Sequence, residues 1–265
     1  MSSEGKYYTY PKAAYGQAGA DAAGASQGSG LGASDALGAD AAQPKARVVV
    51  FDFDGTSMKG NSPVLLVRQL IFERKINMKV ALRIGFWGLA YKMRLPQNEA
   101  WVRGEVFKAF EGQKVEDADA YLRNFYDRVI APRFRPNVDR LIDAYHQQGM
   151  TVLVISASFE PIIKRMMETH RFDGQVSTKM AVAEDGTYTR RVEGLPIEGD
   201  AKPQAIKSWC NARFGEGRWE VAFAYGDHHS DVPMLQMAVE QAYAVSPDNA
   251  LEREAKQRGW TVLDW

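Results

Sequence analysis

The chain has 265 residues, 45% hydrophobic and 25% charged, enough to bury one substantial core and a smaller second unit. Its 33 Lys and Arg residues balance 33 Asp and Glu, so it carries no electrostatic footprint for nucleic acid or for an acidic partner. The single cysteine, Cys210, excludes an internal disulfide and a thiolate zinc site, and reads as a packing residue.

Residues 13–43 are almost entirely Ala, Gly, Ser, Asp and Gln with no periodic apolar face, and the region 1–45 reads as a disordered tail. Tyr7, Tyr8, Tyr10 and Tyr15 at its start read as incidental aromatics. No basic segment followed by an apolar run opens the sequence, so the expected compartment is the cytoplasm. Arg47–Phe53 then reads as a buried strand that runs into Asp52, Asp54, Gly55 and Thr56. Side chains alternate along a strand, so Asp52 and Asp54 leave its carboxyl end on one face. At about 4 Å and an effective dielectric near 20, two such charges repel by roughly 4 kcal/mol, which calls for a bound cation or a shared proton. Gly55 permits a tight turn with positive φ.

Asn61-Ser62-Pro63 resembles a helix start with Ser62 as the cap. Four helical stretches follow, over Pro63–Arg74, Met78–Met93, Gln97–Phe110 and Val115–Ile130, an insertion spanning 61–131. The apolar run Val80–Tyr91 is broken by Arg83 and is shorter than the roughly 20 residues that span a bilayer, which leaves a peripheral membrane contact through the insertion open. Its Phe86, Trp87 and Tyr91 read first as helix packing. Beyond it the order is helix Pro136–Gln148, stopped by Gly149; strand Met150–Ile155; helix Pro161–Thr169; a hairpin within Thr178–Val192; helix Pro203–Arg213; strand Val221–Tyr225; helix from Asp231; and strand Ala242–Val245. That alternation predicts an α/β fold: a Rossmann-like, mainly parallel sheet with helices on both faces, built from 46–60 and 132–265.

Ligands of a parallel sheet bind beyond the carboxyl ends of its strands, so four polar segments can converge there. They are Asp52, Asp54 and Thr56; Ser156, Ala157 and Ser158; Lys202, ahead of Pro203; and Asp227 to Asp231. Neighbouring His228 and His229 seldom point the same way on a loop, and read as non-ligands.

Those four motifs, in that order, resemble the haloacid-dehalogenase superfamily, and the Gly226-Asp227 to Met234-Leu235 pattern with the insertion resembles its phosphoserine-phosphatase-like branch. The resemblance covers about Arg47 to Asp264. It implies a magnesium-dependent phosphomonoester hydrolase with a helical cap. Asp52 would be the nucleophile that forms an aspartyl-phosphate, and Asp54 the acid and base. Asp52, the Asp54 backbone carbonyl and Asp227 would hold Mg2+. Thr56, Ser156, Ala157 and Lys202 would bind the phosphate of a small phosphorylated substrate, with Asp231 behind them holding Lys202 or a metal-bound water. True phosphoserine phosphatases carry a glutamate a few residues past the turn. The corresponding stretch here, Ser57 to Ser62, has no acid and contains Lys59, which points to another small organic or lipid-linked phosphate. A phosphoserine-type phosphatase or phosphotransferase is the nearer alternative. A phosphate- or membrane-binding adaptor is the one from another class, and the intact set of Asp52, Asp54, Lys202 and Asp227 argues against it. The sequence leaves substrate and oligomeric state open.

Overall fold

The first strand, β1 (Ala46–Asp52), lies in the middle of a six-stranded sheet. The computed structural model describes residues 45–75 and 106–265. Residues 1–44 of the tail with its tyrosines, the helix expected at Met78–Met93, most of that at Gln97–Phe110 and the Phe86, Trp87 and Tyr91 group lie outside the described residues. The apolar run of β1 is explained by its place. Val49 and Phe51 are buried in the core on one side of the sheet, Val48 and Val50 in the core on the other. A strand covered on both faces needs no polar alternation.

The strand order is β3-β2-β1-β6-β7-β8 with every neighbouring pair parallel. Its other members are β2 (Thr151–Phe159), β3 (Gly174–Thr178), β6 (Trp219–Gly226), β7 (Gln241–Val245) and β8 (Thr261–Leu263). From β1 the chain passes to β2 on one side and later returns to β6 on the other. That reversal opens a crevice beyond the carboxyl ends of β1 and β6.

The helices follow their apolar spacing. In α1 (Ser62–Phe72), Leu66, Val67 and Leu70 face inward; in α2 (Val115–Phe125), Ala118, Leu122 and Phe125; in α3 (Pro136–Gln147), Val138, Ile142 and Tyr145. Leu66, Leu70, Phe107, Phe110 and Leu122 share one hydrophobic cluster with Val49 and Phe51, so the described parts of the insertion pack into the core of the sheet. Each such apolar side chain contributes about 1.5–3 kcal/mol by leaving water. The hairpin is formed by β4 (Met180–Val182) and β5 (Tyr188–Val192).

Several boundaries differ from the sequence reading for local reasons. The cap of α1 is Asn61, whose side chain accepts from the Val64 amide, and not Ser62. The α2 helix gives way to a π turn at Tyr126–Ile130 and a 3-10 turn at Ala131–Arg133 before Pro136 opens α3. Strand β2 continues to Phe159, with its register against β3 shifting between Ser156 and Phe159. Helix α4 (Glu160–Met167) follows it directly, and α5 (Ala201–Phe214) starts ahead of Pro203, so Lys202 is helical. A 3-10 turn at His229–Asp231 leads into the short α6 (Val232–Leu235). Three elements escaped the sequence reading: β3, β8 and α7 (Asn249–Arg258). The polar α7 buries only Leu251 and Ala255, and its start is set by Asp248, whose side chain accepts from the Ala250 and Leu251 amides.

Candidate active site

At the carboxyl end of β1 the chain turns sharply at Gly55, whose φ is +79°. The missing Cβ matters twice, because one placed there would stand 1.8 Å from Asp227 Oδ2. The turn therefore seats the Asp227 carboxylate, from the end of β6, directly against the loop that follows Asp52. The loop is braced from behind. Ser57 Oγ donates to the Asp52 carbonyl at 2.6 Å, the Arg135 amide donates to the Ser57 carbonyl at 2.9 Å, and Arg135 Nη2 donates to the Gly55 carbonyl at 2.9 Å.

The buried Lys202 ammonium links two elements. Its Nζ lies 2.5 Å from Asp52 Oδ1 and 2.6 Å from Asp231 Oδ1. Burial alone would lower its pKa, but Asp231 and Asp52 raise it above the ordinary lysine range, so it stays charged. The second Asp231 oxygen accepts from the Asp227 and His228 amides at 3.3 Å each. Asp231 is thus fully occupied in orienting Lys202 and the loop.

Oxygens of Asp52, Asp227 and Asp231 lie within 4.8 Å of one another. Desolvation by burial, and then the charges of Asp52 and Asp231, push Asp227 up to about 9. Asp52 goes up to about 8, chiefly from burial, against the pull of Lys202. Three acids share one lysine, and among the described residues no lysine or arginine forms an ion pair with Asp227. The only hydrogen-bond donor to its carboxylate among them is Thr56 Oγ1, at a long 3.4 Å. Hard carboxylate oxygens in a site short of positive charge fit a divalent cation such as magnesium. Asp52 and Asp227 are the acids with oxygens to offer it.

Asp54 is held apart from this cluster. Its Oδ1 accepts from the Ser62 amide at 2.5 Å, and its Oδ2 accepts from Ser158 Oγ at 2.6 Å and Ser62 Oγ at 3.0 Å. Burial raises its pKa, opposed by the bonds from Ser158 and Ser62. Ser156 is buried beside this group, its Oγ accepting from the Ser158 amide at 3.0 Å, with Ala157 between the two serines. His228 caps the 3-10 turn and lies 3.4 Å from Asp248. Buried Cys210 packs within α5, its thiol pushed up to about 12 by burial.

The sequence reading missed Ser62 and Arg135 as site residues and passed over Ser158. Ser158 had a signal, since two residues beyond Ser156 on a strand is the same face. Ser62 was hidden by its resemblance to a cap. Arg135 had none, because only the fold brings 133–135 alongside 57–59, where the Lys59 amide donates to the Arg133 carbonyl.

A parallel sheet with two acids at the end of β1, a serine on β2, a helix-borne lysine and an acid after β6 defines a hydrolase of the haloacid-dehalogenase type. The family model described as haloacid dehalogenase-like hydrolase matches residues 49–236, and the chain belongs to that family, in its phosphoserine-phosphatase-like branch. It is similar to the Streptomyces azureus protein named "inhibition of morphological differentiation protein", 28% identical over 219 residues, which cover 81% of this chain and 77% of that one. It is also similar to a histidinol-phosphatase of Neisseria meningitidis serogroup C, 30% identical over 152 residues, which cover 57% of this chain and 68% of the other. A substrate-bound phosphoserine phosphatase structure shares the fold, with a TM-score of 0.59 at 16% identity, covering 83% of this chain and 94% of that one.

Proposed function

We propose that this chain is a magnesium-dependent phosphomonoester hydrolase working through an aspartyl-phosphate, with residues 61–131 as a cap over the site. The observation that carries the reading is the convergence of Asp52, Lys202, Asp227 and Asp231 from three separate segments around one buried ammonium. Asp52 attacks phosphorus and the bond to the ester oxygen breaks, that oxygen taking a proton from Asp54. Water then attacks the same phosphorus, giving its proton to Asp54, the bond to Asp52 breaks, and inorganic phosphate leaves. Lys202 neutralises charge on Asp52 and the phosphoryl oxygens, while Thr56, Ser156 and the Ala157 amide would donate to those oxygens. Asp52, Asp227 and the Asp54 carbonyl would hold the cation, which supplies charge neutralisation at the phosphate.

Two of the proteins it resembles, a histidinol-phosphatase and a phosphoserine phosphatase, are named for small phosphates, which supports a small substrate here. Asn61 is spent on capping α1 and the turn carries no acid, so nothing in residues 57–62 receives a substrate ammonium. This favours an organic or lipid-linked phosphate without an amine at that point. Among the described residues no helix is long and apolar enough to cross a membrane. The test is phosphate release from a broad panel of phosphomonoesters with magnesium; release from none of them refutes the proposal. Asp52→Asn should lower kcat by about 10⁴-fold or more with an unchanged melting temperature, and near-normal turnover would remove the nucleophile assignment.

A further inference from the structure

The Asp54 carboxyl is gripped by two side chains that the family motifs leave unassigned. Ser62 is the first residue of α1 and Ser158 lies on the shifted end of β2; both are buried. The Ser62 amide is one of the helix-start donors that the helix itself leaves unpaired, and it points at Oδ1. The two hydroxyls meet at Oδ2 and also contact each other. Because Asn61 accepts from the Val64 amide, the cap is already made, and the Ser62 hydroxyl is released for this contact.

A hydroxyl donates and accepts by rotating about its C–O bond. When Asp54 is ionised, both serines can donate to Oδ2. When it carries the proton, one of them can turn and accept it, with no heavy atom moving. A Lys or Arg in the same place would serve only the ionised form. Two serines therefore suit a carboxyl that must give a proton in one half-reaction and take one in the next, while keeping its orientation.

We propose that Ser62 and Ser158 are positioning residues that hold Asp54 for both proton transfers, an inference that rests on the phosphatase reading above. General acid catalysis is worth about 10²–10⁴-fold where the leaving group is a poor one. The experiment compares p-nitrophenyl phosphate, whose phenolate leaves without a proton, with glycerol 2-phosphate, whose alkoxide does not. The variants are Ser158→Ala, Ser158→Thr, Ser62→Ala with Ser158→Ala, and Asp54→Asn as reference, each first checked for an unchanged melting transition.

In Ser158→Ala the first turnover of p-nitrophenyl phosphate, read as a burst of phenolate in rapid mixing, should stay within about threefold of wild type. Steady-state kcat on glycerol 2-phosphate should fall roughly 100-fold, with Ser158→Thr restoring most of it. The double variant should approach Asp54→Asn in both readouts. If the double variant does not fold, the Ser158→Ala and Ser158→Thr pair decides alone. Equal losses on the two esters in a folded Ser158→Ala protein overturn the inference. Should Asp54→Asn itself show no difference between the esters, the acid assignment falls; if it shows the difference and the serine variants do not, only their positioning role falls.

Discussion

Removing the Asp227 charge, the one without an ion-pair partner among the described residues, should stabilise the metal-free protein. Asp227 has carboxylate oxygens of Asp52 and Asp231 within 4.8 Å, and at an effective dielectric near 20 each pair repels by about 3.5 kcal/mol. Lys202 offsets roughly one of these, which leaves about 3.5 kcal/mol against the ionised carboxyl. Protonation is the alternative. The folded pKa of about 9 lies above the ordinary 3.8, so the group's contribution to stability is complete below about pH 4 and is lost as pH rises toward 9. Near pH 7, holding the proton costs about 4 kcal/mol at 1.36 kcal/mol per unit, with burial the largest cause and repulsion by Asp52 and Asp231 next. Asp227→Asn avoids either cost. In EDTA near pH 7 its melting temperature should exceed that of wild type by roughly 7–14 °C at about 2–4 °C per kcal/mol, and the gain should shrink toward pH 4. Magnesium at about 100 times its Kd should stabilise wild type by about 2.7 kcal/mol and the variant hardly at all. Differential scanning calorimetry with and without magnesium is the assay. A variant that melts no higher than wild type in EDTA and responds equally to magnesium would refute both the strain and the ligand assignment.

Gly55→Ala should lower kcat at least about 100-fold, since a Cβ 1.8 Å from Asp227 Oδ2 must displace that carboxylate by more than 1 Å; steady-state kinetics on a responsive substrate would show it. Gly174→Ala is the contrasting case, because its Cβ would stand 2.2 Å from the Trp209 ring, remote from the acids. It should cost about 1–3 kcal/mol in urea unfolding and leave the kcat of the folded enzyme unchanged. Lys202→Met should lose about 3–5 kcal/mol by leaving Asp52 and Asp231 buried together without a counter-charge, whereas Asp52→Asn keeps the bond from Lys202 to Asp231 and should melt normally. Thermal melts of the two side by side decide it, and equal stabilities would mean the ammonium is not what holds the cluster.

The parallel sheet was legible because β1 and β2 are apolar on both faces and because glycine or proline marks most helix ends, as at Gly149 and Pro136. The elements that were not legible carry little of that signal. Strand β3 and the edge strand β8 are short, and α7 buries two side chains. In the site, acids and a lysine at strand and helix ends stood out, since each is expensive to bury without a chemical reason.

Residue type and order alone thus determined which groups gather at the carboxyl end of the sheet, through strand alternation and the right spacing of four polar segments. Tertiary structure decided how they divide the work. Asp52 and Asp231 share the Lys202 ammonium, Asp227 is pressed against Gly55, and Asp54 is turned to Ser62 and Ser158. The reason is that hydrogen-bond partners for a buried carboxylate come from whichever elements the fold brings within 3 Å, here residues 8 and 104 positions away along the chain. Local sequence pattern carries no record of that choice.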